Sequence, residues 1–141
     1  MALKVTKADV WMATIDDRAG GAADTLEPLS RAGANFEFVF ARRTPESPGK
    51  GLLIVYPVKG AKVAKAAQAA GVARPESMFS LRVEGADQPG TSAKLARALA
   101  DAGISFRGLS ATAIGRKFVS FVALDSEGDR DKALGVLRKL K

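Results

Sequence analysis

The feature that most constrains the fold of this chain is a repeat. The stretch DRAGGAADTLEPLSRAGANF, from Asp17 to Phe36, returns as DQPGTSAKLARALADAGISF, from Asp87 to Phe106. At an ungapped offset of 70 residues, Asp17 falls on Asp87, Gly20 on Gly90, Ala23 on Ala93 and Leu29 on Leu99. Ala32-Gly33 falls on Ala102-Gly103, and Phe36 on Phe106. Turn residues and apolar residues match together, which two random segments of this composition do not do. An internal duplication follows, and it governs every other reading. With 141 residues there is room for two small units, and the expected division is 1–75 and 76–141.

Each copy carries the same order of signals. In the first, Ala8–Ile15 is an apolar run rich in Val, Trp and Ile, which predicts a strand. The turn Asp16–Gly20 follows, then a helix to Ala32, with Gly33 placed for a left-handed C-cap. Asn35–Arg43 alternates, with Phe36, Phe38 and Phe40 on one side, where they are expected to be core. The segment TPESPGKG is rich in turn formers, and Gly51–Val58 is a continuous apolar strand. A second helix over Lys59–Ala70 stops at Gly71. In the second copy, Ser77–Glu84 is the first strand. Leu95, Ala98, Leu99 and Ala102 then form a helical stripe. Ile104–Ile114 and Lys117–Leu124 make a hairpin across Gly115-Arg116, and Asp129–Leu140 is the last helix.

The order β-α-β-β-α is that of a ferredoxin-like split βαβ, so the fold class is α+β: two βαββα(β) units in tandem, with antiparallel sheets and helices on one face. Such a unit normally ends on a fourth strand. Only Val72–Met78 can supply one to the first unit, and Pro75 limits it. The second unit ends on its helix, and the alternating Leu3–Lys7 can run along its open edge. Pro28 leaves two choices for the first helix. Either it is kinked, or it starts late, with Asp24 as N-cap and Glu27 as capping-box partner.

Composition narrows the chemistry. The chain has no cysteine and no histidine, which excludes disulfides, thiolate nucleophiles, Ser-His-Asp triads and most zinc sites. Ser110, Thr112 and Ser120 have no histidine to activate them. No catalytic residue, metal site or cofactor is expected. No apolar run approaches the ~20 residues of a membrane span, and MALKVTKADVW has no signal-peptide core, so a cytoplasmic location is expected. The net charge of +7 is dispersed along the chain rather than gathered in a tract, which suits a solvated surface better than a nucleic-acid face.

The D-x-P-G turn of Asp87-Gln88-Pro89-Gly90, the L-x-x-A-G-I-S-F ending of Leu99–Phe106 and the second βα half resemble an ACT domain. Asp17-Arg18-Ala19-Gly20 and Leu29–Phe36 are similar, with Ala19 where the pattern has proline. The whole chain resembles small proteins of two tandem ACT domains without a catalytic domain. The resemblance implies regulatory binding of an amino acid near the turn between first strand and first helix, at the interface of paired domains in a homo-oligomer. It also implies a polar contact from the start of the second strand, here Asn35 or Ser105.

The residues support such a ligand independently. A helix N-terminus offers free N–H groups and partial positive charge to a carboxylate. Gly20 or Gly90 permits close approach, and Asp17 or Asp87 can accept from an ammonium. Arg18 is a further carboxylate partner, and Gln88 lies in the second turn. The first turn is expected to bind more readily, because Asp17, Arg18 and Asn35 offer more than Asp87 and Ser105 do. The plainer role for either aspartate is capping. Two other classes compete. A basic RNA-binding sheet is the first, although no strand carries the K/R-G-F/Y-G/A-F-V-x-F/Y pattern. A small mutase or acyl phosphatase is the second and less favoured, for want of histidine and of an Arg-Asn phosphate loop.

Overall fold

Strands and helices, three of the helices stopped by a glycine, give eleven elements in the computed structural model, which describes residues 2–140. They are β1 (Lys4–Ala8), β2 (Trp11–Asp16), α1 (Gly21–Arg31), β3 (Phe38–Arg43), β4 (Lys50–Tyr56) and α2 (Ala61–Ala69). The second half adds β5 (Phe79–Ala86), α3 (Thr91–Asp101), β6 (Gly108–Ile114), β7 (Lys117–Leu124) and α4 (Glu127–Arg138). They form two units: Asp9–Pro75, and residues 2–8 together with 76–140.

The unit of Asp9–Pro75 has an antiparallel sheet in the order β2-β4-β3. Its fourth position is filled only at one point, where Met12 and Ala73 exchange backbone hydrogen bonds of 2.8 and 3.0 Å. Pro75, two residues on, has no N–H to continue a ladder. Trp11, Ala13, Leu53 and Val55 on one sheet face pack against Leu29 of α1 and Ala67 of α2. Full burial of side chains such as Leu29 and Leu53 contributes about 1.5–3 kcal/mol each.

The other unit has the sheet order β1-β5-β7-β6. Here the fourth strand is complete, and the N-terminal segment supplies it: β1 pairs antiparallel with β5 from Lys4↔Glu84 to Ala8↔Ser80. Leu3–Lys7 thus takes the open edge its alternation suits, and residues 2–8 lie with the second unit rather than within 1–75. Val5, Leu81, Val83, Val122 and Leu124 pack against Leu95 and Leu99 of α3 and Ala133 and Leu137 of α4. Arg138 ties β1 to α4, donating from Nε and Nη2 to the Val5 carbonyl at 3.2 and 3.0 Å.

Two local expectations are decided. Helix α1 starts at Gly20, where Asp24 N–H already bonds the Gly20 carbonyl at 2.9 Å, so Asp24 is not the N-cap and Pro28 sits inside the helix. The phenylalanine stripe is not core as a whole. Phe36 packs on the buried cluster, but the chain bends at Glu37 and β3 begins only at Phe38. Phe38 and Phe40 pair with Tyr56 and Ile54, on the sheet face opposite Leu53 and Val55. Their rings stack at 6.5 Å, and Phe40 is 40% exposed.

Candidate functional site

The two strand–helix turns share a backbone device. Gly20 and Gly90 take φ of 89° and 85°, left-handed values that glycine adopts freely, and each stands immediately before its helix. Neither α1 nor α3 receives a side-chain cap. Helix α4 differs, because Ser126 Oγ accepts from Asp129 N–H at 3.0 Å. Gly21 N–H and Thr91 N–H bond the Arg18 and Gln88 carbonyls within their turns, at 3.0 and 3.3 Å. The next two N–H groups, of Ala22 and Ala23 in α1 and of Ser92 and Ala93 in α3, remain open to an external acceptor.

The side chains around the two turns differ sharply. At the first, Arg43 Nε donates to both Asp17 carboxylate oxygens at 3.1 and 2.9 Å. Lys50 Nζ donates to Asp16 at 2.8 Å and holds its carboxyl below the ordinary range. Arg18 pairs with Asp24, which pushes its guanidinium pKa further up, and approaches Asp16 at 3.8 Å. Every charged group of this turn thus has an internal partner. The backbone is also tight: Arg18 N–H bonds the Asp16 carbonyl and Gly21 N–H the Arg18 carbonyl, both at 3.0 Å. A Cβ on Gly21 would lie 2.1 Å from the Asp16 carbonyl oxygen, so only glycine fits there.

The second turn is looser and less paired. Asp87 N–H bonds the Arg116 carbonyl at 2.8 Å, which anchors the turn to the β6–β7 hairpin tip. Thr91 stands where the first turn has Gly21, and its Oγ1 donates to the Gln88 carbonyl at 2.9 Å. Asp87, Gln88 and Gly90 are exposed, and the Asp87 carboxylate forms no ion pair among the described residues.

Within each unit the strand-start residues stand away from the turns. In the sheet of Asp9–Pro75, Asp17 follows Asp16↔Lys50 at one end, next to Arg43↔Gly51. Asn35 precedes Phe38↔Tyr56 at the other end. The length of β3 separates the two, roughly 16 Å at ~3.3 Å per residue. Ser105 stands at the Gly108↔Ala123 end and Asp87 at the Ala86↔Lys117 end, so they too are a strand length apart. The intervening helix carries the chain back along the sheet, so residues close in sequence end up at opposite ends of the strands. The partners that do meet at the first turn, Arg43 and Lys50, come from the β3–β4 hairpin, and the sequence reading did not select them. The doublet Gly20-Gly21 was the visible sign of its tightness.

Among the described residues, no group of three or more acidic side chains gathers to hold a metal, and no helix is long and apolar enough to cross a membrane.

The ACT domain family model matches residues 79–141. No curated protein matches the chain in sequence. Among solved structures, a protein from Bacteroides thetaiotaomicron superposes with a TM-score of 0.76 at 18% identity, over 96% of this chain and 89% of that one. The regulatory subunit of aspartate kinase from Thermus thermophilus gives 0.65 at 16% identity, over 99% and 97%. Its counterpart from Thermus flavus gives 0.62 at 18% identity, again over 99% and 97%. Such identities speak for the fold. Residues 79–141 are thus an ACT domain, and the unit of Asp9–Pro75 repeats its ferredoxin-like fold in tandem.

Proposed function

We propose that the protein is a non-catalytic regulatory module that binds an amino acid at its strand–helix turns. The observation that carries this reading is the paired device: a left-handed glycine, an uncapped helix N-terminus and an aspartate, built twice. The open N–H groups suit a carboxylate, and the aspartate suits an ammonium. The match of residues 79–141 to the ACT domain and the regulatory-subunit likeness support it. In this reading Asp87–Gly90 is the receptive turn. Asp87 has no competing cation, whereas an ammonium at Asp17 must displace Arg43. A homo-oligomer belongs to the same reading, since β3 and β6 are exposed edge strands.

A thermal-shift panel of the standard amino acids tests it. A ligand bound only to the native state adds about 2.7 kcal/mol at a hundredfold excess over its Kd, which raises the midpoint by several degrees. A panel in which no amino acid at millimolar concentration moves the midpoint would reject the reading.

One observation favours a second reading, single-stranded nucleic acid binding. Phe38, Phe40 and Tyr56 share the helix-free face of one sheet, in register with one another, and bases stack on such faces. Sequence-selective RNA binding that persists at physiological salt would promote it over the first. Binding that fades steeply with salt would mark it as general charge attraction.

A further inference from the structure

Away from the turns, the ends of β1, β5 and β7 border a shallow, solvent-open hollow of about 520 Å³. Its lining includes Leu3, Lys4, Glu84, Gly85, Arg116 and Lys117, all in the unit of residues 2–8 and 76–140. The size falls in the range of small-molecule sites. Gly85 is what lets the N-terminal segment close one wall. A Cβ there would meet Leu3 Cδ2 at 2.7 Å and the Ala2 carbonyl oxygen at 3.4 Å.

The charge around the hollow is lopsided. Its only acid, Glu84, is already engaged by Arg82 at 3.1 Å and by Lys117 at 3.4 Å. Lys4 and Arg116 are exposed and have no acidic partner among the described residues. Like charges around one space repel each other, and an anion in that space relieves the repulsion. Lys4 stands opposite Glu84 in the β1–β5 register and points away from the core cluster of Val5, but the Glu84 carboxylate is bonded by Arg82 and Lys117 instead.

We propose that this hollow binds a phosphate-bearing small molecule, with Arg116 and Lys4 as partners of the anion. Arg116 offers a planar fork for two oxygens, and Lys4 adds a point charge beside it. A phosphoryl group has the charge and the several acceptor oxygens to use both cations at once, Arg116 through its fork and Lys4 beside it. Leu3 and the Cβ-free surface of Gly85 give an apolar wall for the rest of such a molecule. The net charge of +7 favours encounter with any anion but does not place it, whereas the hollow does.

The test is calorimetric titration of the full chain with inorganic pyrophosphate at physiological salt. The double variant Lys4→Ala/Arg116→Ala is compared with Lys62→Ala/Lys65→Ala, which removes the same charge from the exposed side of α2. Saturable uptake at one site per chain is expected, about tenfold or more weaker in the first double variant and nearly unchanged in the second. If the first variant melts early, Arg116→Gln alone carries the test with the same expected loss. No saturable uptake, or equal weakening by both double variants, would overturn the proposal.

Discussion

Ser120 is a polar residue at the centre of an apolar core, and its removal should stabilise the protein. It is fully buried on β7, between Val83 and Ala111 in the sheet register, and its Oγ has no protein hydrogen-bond partner. The corresponding place in the other unit holds Leu53, opposite Ala13, where Ser120 stands opposite Val83. An unsatisfied buried hydroxyl costs about 1–3 kcal/mol. Ser120→Ala removes that cost and leaves a void of about one oxygen atom. At ~24 cal/mol per Å³ such a void subtracts only a few tenths of a kcal/mol. The net expectation is a gain of about 1 kcal/mol. Thermal unfolding followed by circular dichroism should show a midpoint raised by about 4–8 °C if this unit unfolds alone, and by about 2–4 °C if both units unfold together. A variant that loses 1 kcal/mol or more would show that the hydroxyl is bonded in the native state and would refute the argument.

Gly21→Ala should cost about 2–4 kcal/mol in chemical denaturation, because its Cβ meets the Asp16 carbonyl oxygen at 2.1 Å and the turn must open. Gly33→Ala, with φ of 102° but open space around it, should cost only about 1–2 kcal/mol, and equal losses at the two sites would contradict the steric account. Gly135→Ala, inside α4 and free of neighbours, should instead stabilise by about 0.5–1 kcal/mol in the same assay. Hydrogen bonds from Arg82 and Lys117 hold the Glu84 carboxyl below its ordinary value of 4.5. Its contribution is therefore present above that pH and lost as pH falls through the lowered value, so Glu84→Gln should lose less stability on acidification below about pH 4.5 than the parent does. An unchanged acid limb in the variant would contradict that assignment.

The duplication made most of the fold legible, because its matched residues are the ones with local work to do: glycines at left-handed positions and leucines at helical spacing. The origin of the second unit's fourth strand was also readable, since Leu3–Lys7 alternates and an edge stood open for it. The phenylalanine stripe misled because period-2 alternation was carried across Glu37, where the backbone bends and the register is reset. The setting of the first turn was not readable from sequence. Asp17 meets Arg43 across 26 residues only because β3 runs antiparallel to β4, and such a pairing depends on hairpin register rather than on any local motif. For the same reason Asn35 looked close to Asp17 in sequence while the helix between them sets the two at opposite ends of the sheet. The hollow beside Arg116 draws on three strands, one of them from the far end of the chain.

The central claim is that an open turn at Asp87, and not the ion-paired turn at Asp17, receives the ligand. Calorimetric titration of Asp87→Asn and Asp17→Asn with an amino acid that shifts the melting midpoint tests it most directly. Both substitutions keep the side-chain shape, and neither aspartate caps its helix, so folding should survive in each. The account predicts affinity about tenfold or more weaker in Asp87→Asn, through loss of a charge-assisted bond to the ammonium, and little change in Asp17→Asn. The reverse order, or equal affinity in both variants and the parent, would contradict it.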